Sequence, residues 1–492
     1  MPVGAPALAQ LSVPGGGLSP ALRAARARLV SPALNIWRIA APASGVISAL
    51  RAEGVLAGAE PDRRLVPFTH LNSGDPLLPS EWWIRDVGDD QAEPPPAGVP
   101  VTVVDTGLDL AHPEFKSRPS TTALNPQTVL STDDIHGTAV SSVAAAPANG
   151  IGLVGVYPQA ALQEWDFGDG SLSEILAGLD AVSKRGRGVI NFSGGFFSGF
   201  DSLLEQGVDR ALHRGAIVVA AVGNDRQSGN RSFVPASLPH VLTVGANNEA
   251  DRVTSFSNRS NALDLVAPGV SIPVAVPTFY DQSGYASFDG TSFSSPLVAG
   301  ATAWVWTVRP QLDPTQVEDV MRHSARDVGP KGWDADTGFG ILSMPAALAE
   351  KTPAKDPQEP NDDVKLVRPH AVTASGTRLP TPALLRARLD VTEDPEDVYR
   401  VWVPAHARIA ASTKSAANVN LGLWGPRTRT VYERGSALRR DLVAYSQRSG
   451  SRPDVVSGRN STRVGSFYYV DAFLGKRVGG AAYSLKVSVS RR

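Results

Sequence analysis

The sequence predicts an α/β fold: a central, mostly parallel sheet flanked by helices, with a small α+β segment before it and a β-sandwich after it. Three observations predict it. Short apolar, β-branched runs at 101–104, 188–191, 217–222 and 241–244 alternate with helical stretches such as 173–183 and 203–212, the pattern of parallel strands buried on both faces. A polar, proline-rich stretch at 351–363 then breaks the pattern. Beyond it Tyr483, Leu485, Val487 and Val489 alternate with Ser484, Lys486, Ser488 and Ser490, as in an antiparallel sheet with one face in a core.

In chain order, residues 1–30 are Gly/Pro-rich and then Ala/Arg-rich. They predict a flexible terminus running into a short helix, or the remnant of a secretory signal, since Ala7-Leu8-Ala9-Gln10 after Pro6 resembles a signal cleavage end. Residues 31–74 hold a β-α-β pattern: strand-like at 35–40, helical at 44–51 with Gly54 placed to stop it, and strand-like again at 55–60. That is too little chain for a stable domain alone. Pro94-Pro95-Pro96 closes a loop-like stretch and leads into the first long apolar strand. The α/β domain is expected over 75–350, a linker over 351–365 with Asp362 and Asp363 solvated, and the sandwich over 366–492, where 397–403 and 467–473 are also strand-like.

Composition narrows the function classes. At 492 residues the chain exceeds one comfortable core. The formal net charge of −1 gives no overall pull toward nucleic acid or a membrane surface. The charge is uneven, however: residues 366–492 carry 21 Lys/Arg against 9 Asp/Glu. A basic C-terminal module of this kind suits either a solvated β-domain or contact with a polyanionic surface. There is no cysteine, which excludes disulfides, thiol catalysis and Cys-ligated zinc. No run of 18 apolar residues exists to span a membrane as a helix.

Three segments carry chemistry. Asp105 follows Val103-Val104 at the carboxyl end of a buried strand, where α/β sheets place ligands and reacting groups. His136-Gly137-Thr138 opens a helix of small residues. Ser292 lies in Asp289-Gly290-Thr291-Ser292, at the start of a helix with Pro296 in its first turn. A serine hydroxyl needs an adjacent base, histidine suits that task near neutral pH, and a buried carboxylate fixes the imidazole tautomer. Strand 217–222 ends in Gly223-Asn224, so the Asn224 amide can join the Ser292 backbone N–H in holding an oxyanion.

Val103-Val104-Asp105-Thr106-Gly107-Leu108-Asp109 with His112-Pro113-Glu114, His136-Gly137-Thr138-Ala139-Val140, and the run from Gly290 through Gly300 resemble the three signature blocks of the subtilase (subtilisin-like, peptidase S8) family. Spacings of 31 from Asp105 to His136, 88 to Asn224 and 68 to Ser292 are similar to the family layout. The resemblance implies a serine endopeptidase acting on proteins and peptides through Asp105, His136 and Ser292, with Asn224 in the oxyanion hole and no required cofactor. It implies substrate binding by Ser193, Gly194 and Gly195 on an edge strand, and by Ala221, Val222 and Gly223 in a primary pocket near Phe233. Gly194 stands where a larger apolar residue is common, implying a wider pocket that favours an apolar side chain. Residues 35–62 resemble the end of an inhibitory propeptide, implying self-cleavage between about Leu65 and Asp75 and a secreted, bacterial enzyme. Glu359-Pro360-Asn361-Asp362 and the tail are similar to the pre-peptidase C-terminal β-domain.

Other residues are weaker signals. A structural calcium, frequent in this family after the His helix, is allowed rather than required: Asn149 and Glu114 remain, but Pro147 and Ala148 replace liganding positions. Asp133 and Asp134 either bias His136 or sit in a solvated loop. His70, His112, His213, His240, His323, His370 and His406 have no setting that assigns them a role. No Gly-x-Ser-x-Gly elbow, His-Glu-x-x-His or Walker loop occurs. The rival to an endopeptidase is a catalytically silent relative used for binding or scaffolding.

Overall fold

Two units make up the chain, Met1–Pro67 and Phe68–Arg492. The structure, a computed structural model, describes residues 7–12, 19–31, 35–40, 42–61, 73–129, 131, 134–198, 202–356, 359–367, 371–377, 382–390, 394–476 and 478–490.

In the N-terminal unit, β1 (Ala7–Leu11), α1 (Pro20–Ala24), β2 (Arg28–Ser31), β3 (Ile36–Ile39), α2 (Ser44–Ala52) and β4 (Leu56–Pro61) form a sheet in the order β2-β3-β1-β4 with two helices. All its pairings are antiparallel. The β-α-β expected from residue 35 onward and the short helix expected before residue 30 are present, but the expectation for residues 7–11 is corrected. Residues 7–10, expected as tether or signal remnant, belong to the strand flanked by both β3 and β4, and β2 adds an edge. Ala7 and Ala9 are fully buried with Leu22, Ile39, Ile47 and Leu50. Alanine has little β-propensity, so this alternation gives no strand signal in sequence.

The second unit begins with α3 (Trp83–Val87) and then alternates strands and helices. The strands are β5 (Val101–Asp105), β6 (Thr121–Ala123), β7 (Leu162–Asp166), β8 (Gly188–Phe192), β9 (Phe196–Phe197), β10 (Ala216–Ala221), β11 (Phe233–Val234), β12 (Val241–Asn247), β13 (Leu265–Pro268), β14 (Ile272–Ala275) and β15 (Tyr285–Phe288). The helices are α4 (Ile135–Ala145), α5 (Leu172–Ser183), α6 (Ser202–His213), α7 (Thr291–Val308), α8 (Pro314–His323) and α9 (Met344–Ala349). Seven strands form one sheet, β13-β12-β10-β8-β5-β7-β6, with every pairing parallel. Val101 and Val103 share a core with α4 and α7, whereas Val104 packs with α5 and α6. The sheet is therefore covered on both faces, which is why its strands are continuously apolar. Helix α7 is apolar nearly all round and buried along most of its length.

The C-terminal part forms two antiparallel four-stranded sheets. Its strands are β16 (Ala383–Asp390), β17 (Glu396–Val403), β18 (Arg408–Ser415), β19 (Val419–Trp424), β20 (Leu442–Ser446), β21 (Val455–Arg459), β22 (Ser466–Leu474) and β23 (Gly480–Ser490). The sheet orders are β16-β23-β18-β21 and β17-β22-β19-β20, sharing a core that includes Ile409, Leu485 and Val487 from one and Val401, Leu421 and Val470 from the other.

One expectation fails here. Residues 359–367 are not a solvated linker. Asn361 is fully buried and its Nδ2 donates to Asp397 Oδ1 at 2.7 Å, while the Val398 N–H donates to the Asn361 carbonyl at 2.8 Å. Asp362 and Asp363 are 8% and 4% exposed. Asp362 Oδ2 lies 2.6 Å from Nε2 of His240, a residue buried just before β12 at the amino-terminal edge of the sheet. Burial alone would lower the His240 pKa, but the Asp362 and Glu359 carboxylates outweigh it and raise it.

Candidate active site

The carboxyl ends of β5, β8 and β10 and the amino ends of α4 and α7 meet at one rim of the sheet. Asp105 ends β5 and is 2% exposed. Its Oδ1 accepts the Thr106 N–H at 2.8 Å, and His136 Nδ1 lies 2.8 and 3.0 Å from its two oxygens. Thr106 Oγ1 in turn accepts the Gly137 N–H at 2.9 Å, tying the end of the strand to the start of α4. Gly137 is required there, because a Cβ would run into the Gly107 carbonyl. Burial works to lower the His136 pKa, but the charge and hydrogen bond of Asp105 outweigh it, and the net shift is upward.

Ser292 is the second residue of α7, within the turn whose free N–H groups and dipole favour negative charge. Its hydroxyl donates to the Ser193 carbonyl at 2.9 Å, and the Ser193 hydroxyl donates back to the Ser292 carbonyl at 2.8 Å. In this conformation the Ser292 proton therefore points to Ser193. A bond to His136 Nε2 requires the hydroxyl to leave this partner, an adjustment common between a free and a substrate-bound site. Asn191 Nδ2 donates to Ser193 Oγ at 2.9 Å, and Ser295 Oγ donates to Asn191 Oδ1 at 2.7 Å, so the end of β8 is fastened to the first turns of α7. The sequence reading named Ser193 but missed Asn191 and Ser295. A polar residue inside the apolar run 188–192 was the available signal.

Asn224 follows β10. Its Oδ1 accepts the Thr291 N–H at 3.0 Å and the Thr291 hydroxyl at 2.9 Å. That fixes which end of the amide is spoken for and leaves the Nδ2 donors outside these contacts. Ser193–Gly195 and Ala221–Gly223 leave the neighbouring parallel strands β8 and β10. Gly194 and Gly195 are exposed, while Ala221 and Val222 are buried. Asp133 lies outside the described residues, and Asp134 accepts hydrogen bonds from Ser131. Sequence also gave no hint of Glu164 on β7. It is fully buried, accepts the Ser141 hydroxyl at 3.0 Å, and has a pKa raised well above 4.5 by burial and then by the Asp105 charge.

Beside the loop after α4, Asp75 Oδ2 and Glu114 Oε2 are buried with no hydrogen-bond partner. Asp75 Oδ1 accepts the N–H groups of Asn149 and Ile151, and Glu114 Oε1 accepts the Leu153 N–H and the Tyr285 hydroxyl. The loop thus turns N–H donors, not carbonyl oxygens, toward these carboxylates. Among the described residues, groups close enough to share a metal are His240 with Glu359 and Asp362, and Asp356 with Glu359 and Asp394. No helix is long and apolar enough to cross a membrane among the described residues.

Comparison with known proteins agrees with this geometry. Residues 97–340 match the family described as the subtilase family. The chain is 35% identical over 258 residues to a subtilisin of Bacillus pumilus, spanning 51% of this chain and 91% of that protein. It is 37% identical over 255 residues to subtilisin Savinase of Lederbergia lenta, with the same two coverages. In structure it resembles fervidolysin of Fervidobacterium pennivorans, described as a keratinolytic enzyme related to subtilisin, at a TM-score of 0.53 and 18% identity over 95% of this chain and 92% of that one. That last likeness concerns the fold alone. Motif order, sheet topology and relatives above 30% identity agree: the chain belongs to the subtilase family of serine endopeptidases.

Proposed function

We propose that Ser292 is the nucleophile, His136 the general base and acid, and Asp105 the group that orients and charges the imidazole, in an endopeptidase acting on protein and peptide chains. The observation that carries this is the pair of 2.8 and 3.0 Å contacts from Asp105 to His136 Nδ1, which engage one ring nitrogen and leave Nε2 for proton transfer. Substrate backbone pairs with Ser193, Gly194 and Gly195. The Ser292 hydroxyl leaves the Ser193 carbonyl, attacks the scissile carbonyl carbon, and passes its proton to His136 Nε2. The Ser292 N–H and Asn224 Nδ2 hold the oxyanion. His136 then protonates the departing amine. Water deprotonated by the same nitrogen releases the acyl group.

The N-terminal unit fits a self-processed propeptide, with cleavage between about Leu65 and Asp75. Residues 65–72 of that window lie outside the described residues, and the boundary between the two units falls at 67/68. Secretion from a bacterial cell accords with such a zymogen. Arg386, Arg388, Arg408, Lys414 and Lys486 are exposed on one face of the β16-β23-β18-β21 sheet, the surface by which the basic domain would meet a polyanion.

Catalysis needs no cofactor. A structural calcium fits the all-oxygen set of Asp356, Glu359 and Asp394. Each of these three carboxylates has one buried oxygen with no hydrogen-bond partner. Digestion of a peptide library, with Ser292→Ala as control, tests the reading. Cleavage lost in that variant supports it, and no cleavage by the processed wild-type chain refutes it.

A further inference from the structure

The walls of the primary pocket lead to an aromatic ring that belongs to neither of them. Ser193–Gly195 leaves β8 and Ala221–Gly223 leaves the adjacent strand β10. A substrate whose carbonyl lies at Ser292 and Asn224 must pass its side chain between these segments and over Gly223, the residue before Asn224. At that point stands Phe233. A Cβ placed on Gly223 would lie 2.6 and 2.7 Å from Phe233 Cδ2 and Cε2, and 2.9 Å from Asn258 Nδ2. On the other wall, a Cβ on Gly195 would lie 3.5 Å from Phe233 Cβ. Phe233 thus stands against both walls, its ring at Gly223 and its Cβ, beside the Val234 backbone, at Gly195, and it is half-buried, with part of its surface uncovered. At Gly194, by contrast, a Cβ would meet nothing within 4 Å. Space is therefore open beside Gly194 and taken up by Phe233 beside Gly223.

The ring is also braced. β9 and β11 pair Phe197 with Phe233, and the two ring centroids are 4.4 Å apart. The Arg231 guanidinium carbon sits 3.6 Å from the centroid of the Phe197 ring, a cation–π distance. Arg231 is itself held by Asp225, with Nε–Oδ2 at 2.9 Å and Nη2–Oδ1 at 2.7 Å. Swinging Phe233 out of the pocket means breaking the aromatic pair and disturbing that clamp.

We propose that Phe233, held by the Asp225–Arg231–Phe197 stack, closes the floor of the primary pocket and restricts cleavage to bonds that follow small side chains, glycine, alanine or serine. This rests on Ser193–Gly195 and Ala221–Gly223 being the substrate walls. It narrows the sequence expectation of a wide pocket for apolar side chains: Gly194 widens only the entrance.

The test compares kcat/KM for matched peptides with Ala or Phe before the scissile bond, in the processed enzyme and in Phe233→Gly. Each added buried carbon in such a pocket discriminates by roughly 10–200-fold. Wild type should therefore prefer Ala over Phe by ~100-fold or more, and Phe233→Gly should lower that ratio by at least ~10-fold. Phe197→Ala, which removes the brace and keeps Phe233, should raise Phe turnover by a smaller factor. Fluorophosphonate labelling reports the Ser292 site separately. A wild-type enzyme that labels and cleaves equally well after Phe or Leu overturns the proposal while leaving the peptidase reading intact. A well-labelled Phe233→Gly with an unchanged ratio also overturns it. If Phe233→Gly does not fold, the wild-type ratio and Phe197→Ala decide alone.

Discussion

Replacing Asp105 by Asn probes the most tightly defined contact of the site. Both carboxylate oxygens address His136 Nδ1, at 2.8 and 3.0 Å, from a residue 2% exposed. The ring proton is thereby held on Nδ1, and Nε2 is left to accept from Ser292. In Asp105→Asn an NH₂ group can face Nδ1, and the other tautomer, with Nε2 protonated, becomes the stable one. The imidazolium formed during attack also loses its counter-charge. At 2.8 Å and an effective dielectric of ~20, that attraction is about 6 kcal/mol, which corresponds to a loss of ~10⁴ in kcat. The pH profile moves as well. Asp105 overcomes burial and holds His136 above 6.5. Wild-type kcat/KM should therefore rise with pH along a limb above 6.5, and the variant's limb should shift to lower pH. The assay is hydrolysis of one chromogenic peptide by processed enzyme from pH 5 to 9. A loss of kcat under ~10-fold, or an unmoved limb, refutes the reasoning.

Three further outcomes follow from the same geometry. Asn224→Ala should lower kcat by ~10²–10³ with little change in KM, the usual cost of losing one oxyanion-hole donor; a KM effect alone would remove Asn224 from the oxyanion hole. Glu164 binds its proton more tightly folded than unfolded, so wild-type stability should fall as pH rises above 4.5. Glu164→Gln, which can still accept from Ser141, should flatten that fall in urea melts at pH 4.5 and 8; parallel curves would show that the carboxyl is ionised in the fold. Chelation by EDTA should lower the thermal midpoint of the wild-type chain by several degrees, reversibly with calcium, and have less effect in Asp394→Asn, because a cation bound only to the folded state stabilises it by about 2.7 kcal/mol at a hundred times its Kd. No response to EDTA would rule out a cation at Asp356, Glu359 and Asp394.

The sequence is most legible where one physical signal dominates. β5, β8, β10 and β12 are buried on both faces and carry unbroken apolar runs, so their strands and parallel pairing could be read directly. Asp105, His136, Asn224 and Ser292 sit at ends of such elements, and short motifs mark them. Less was legible where contacts are remote in sequence or residues are ambiguous. β1 was hidden by its alanines. The segment 359–367 looks like a linker by composition, and only the fold shows Asn361 bound to Asp397 and Asp362 bound to His240, 122 positions away. Asn191 ends an apolar run in the sequence, and only the fold shows it bridging Ser193 and Ser295. The family resemblance places Phe233 near the pocket, but its bracing by Phe197 and Arg231 is visible only in the fold.

Covalent labelling of Ser292 is the most direct trial of the central claim. A fluorophosphonate probe incubated with the processed chain, followed by peptide mapping, should add one adduct on Ser292. The adduct should vanish in Ser292→Ala and form far more slowly in Asp105→Asn. A folded chain that takes no label, or takes it on another serine, would contradict the account and leave a silent binding protein in its place.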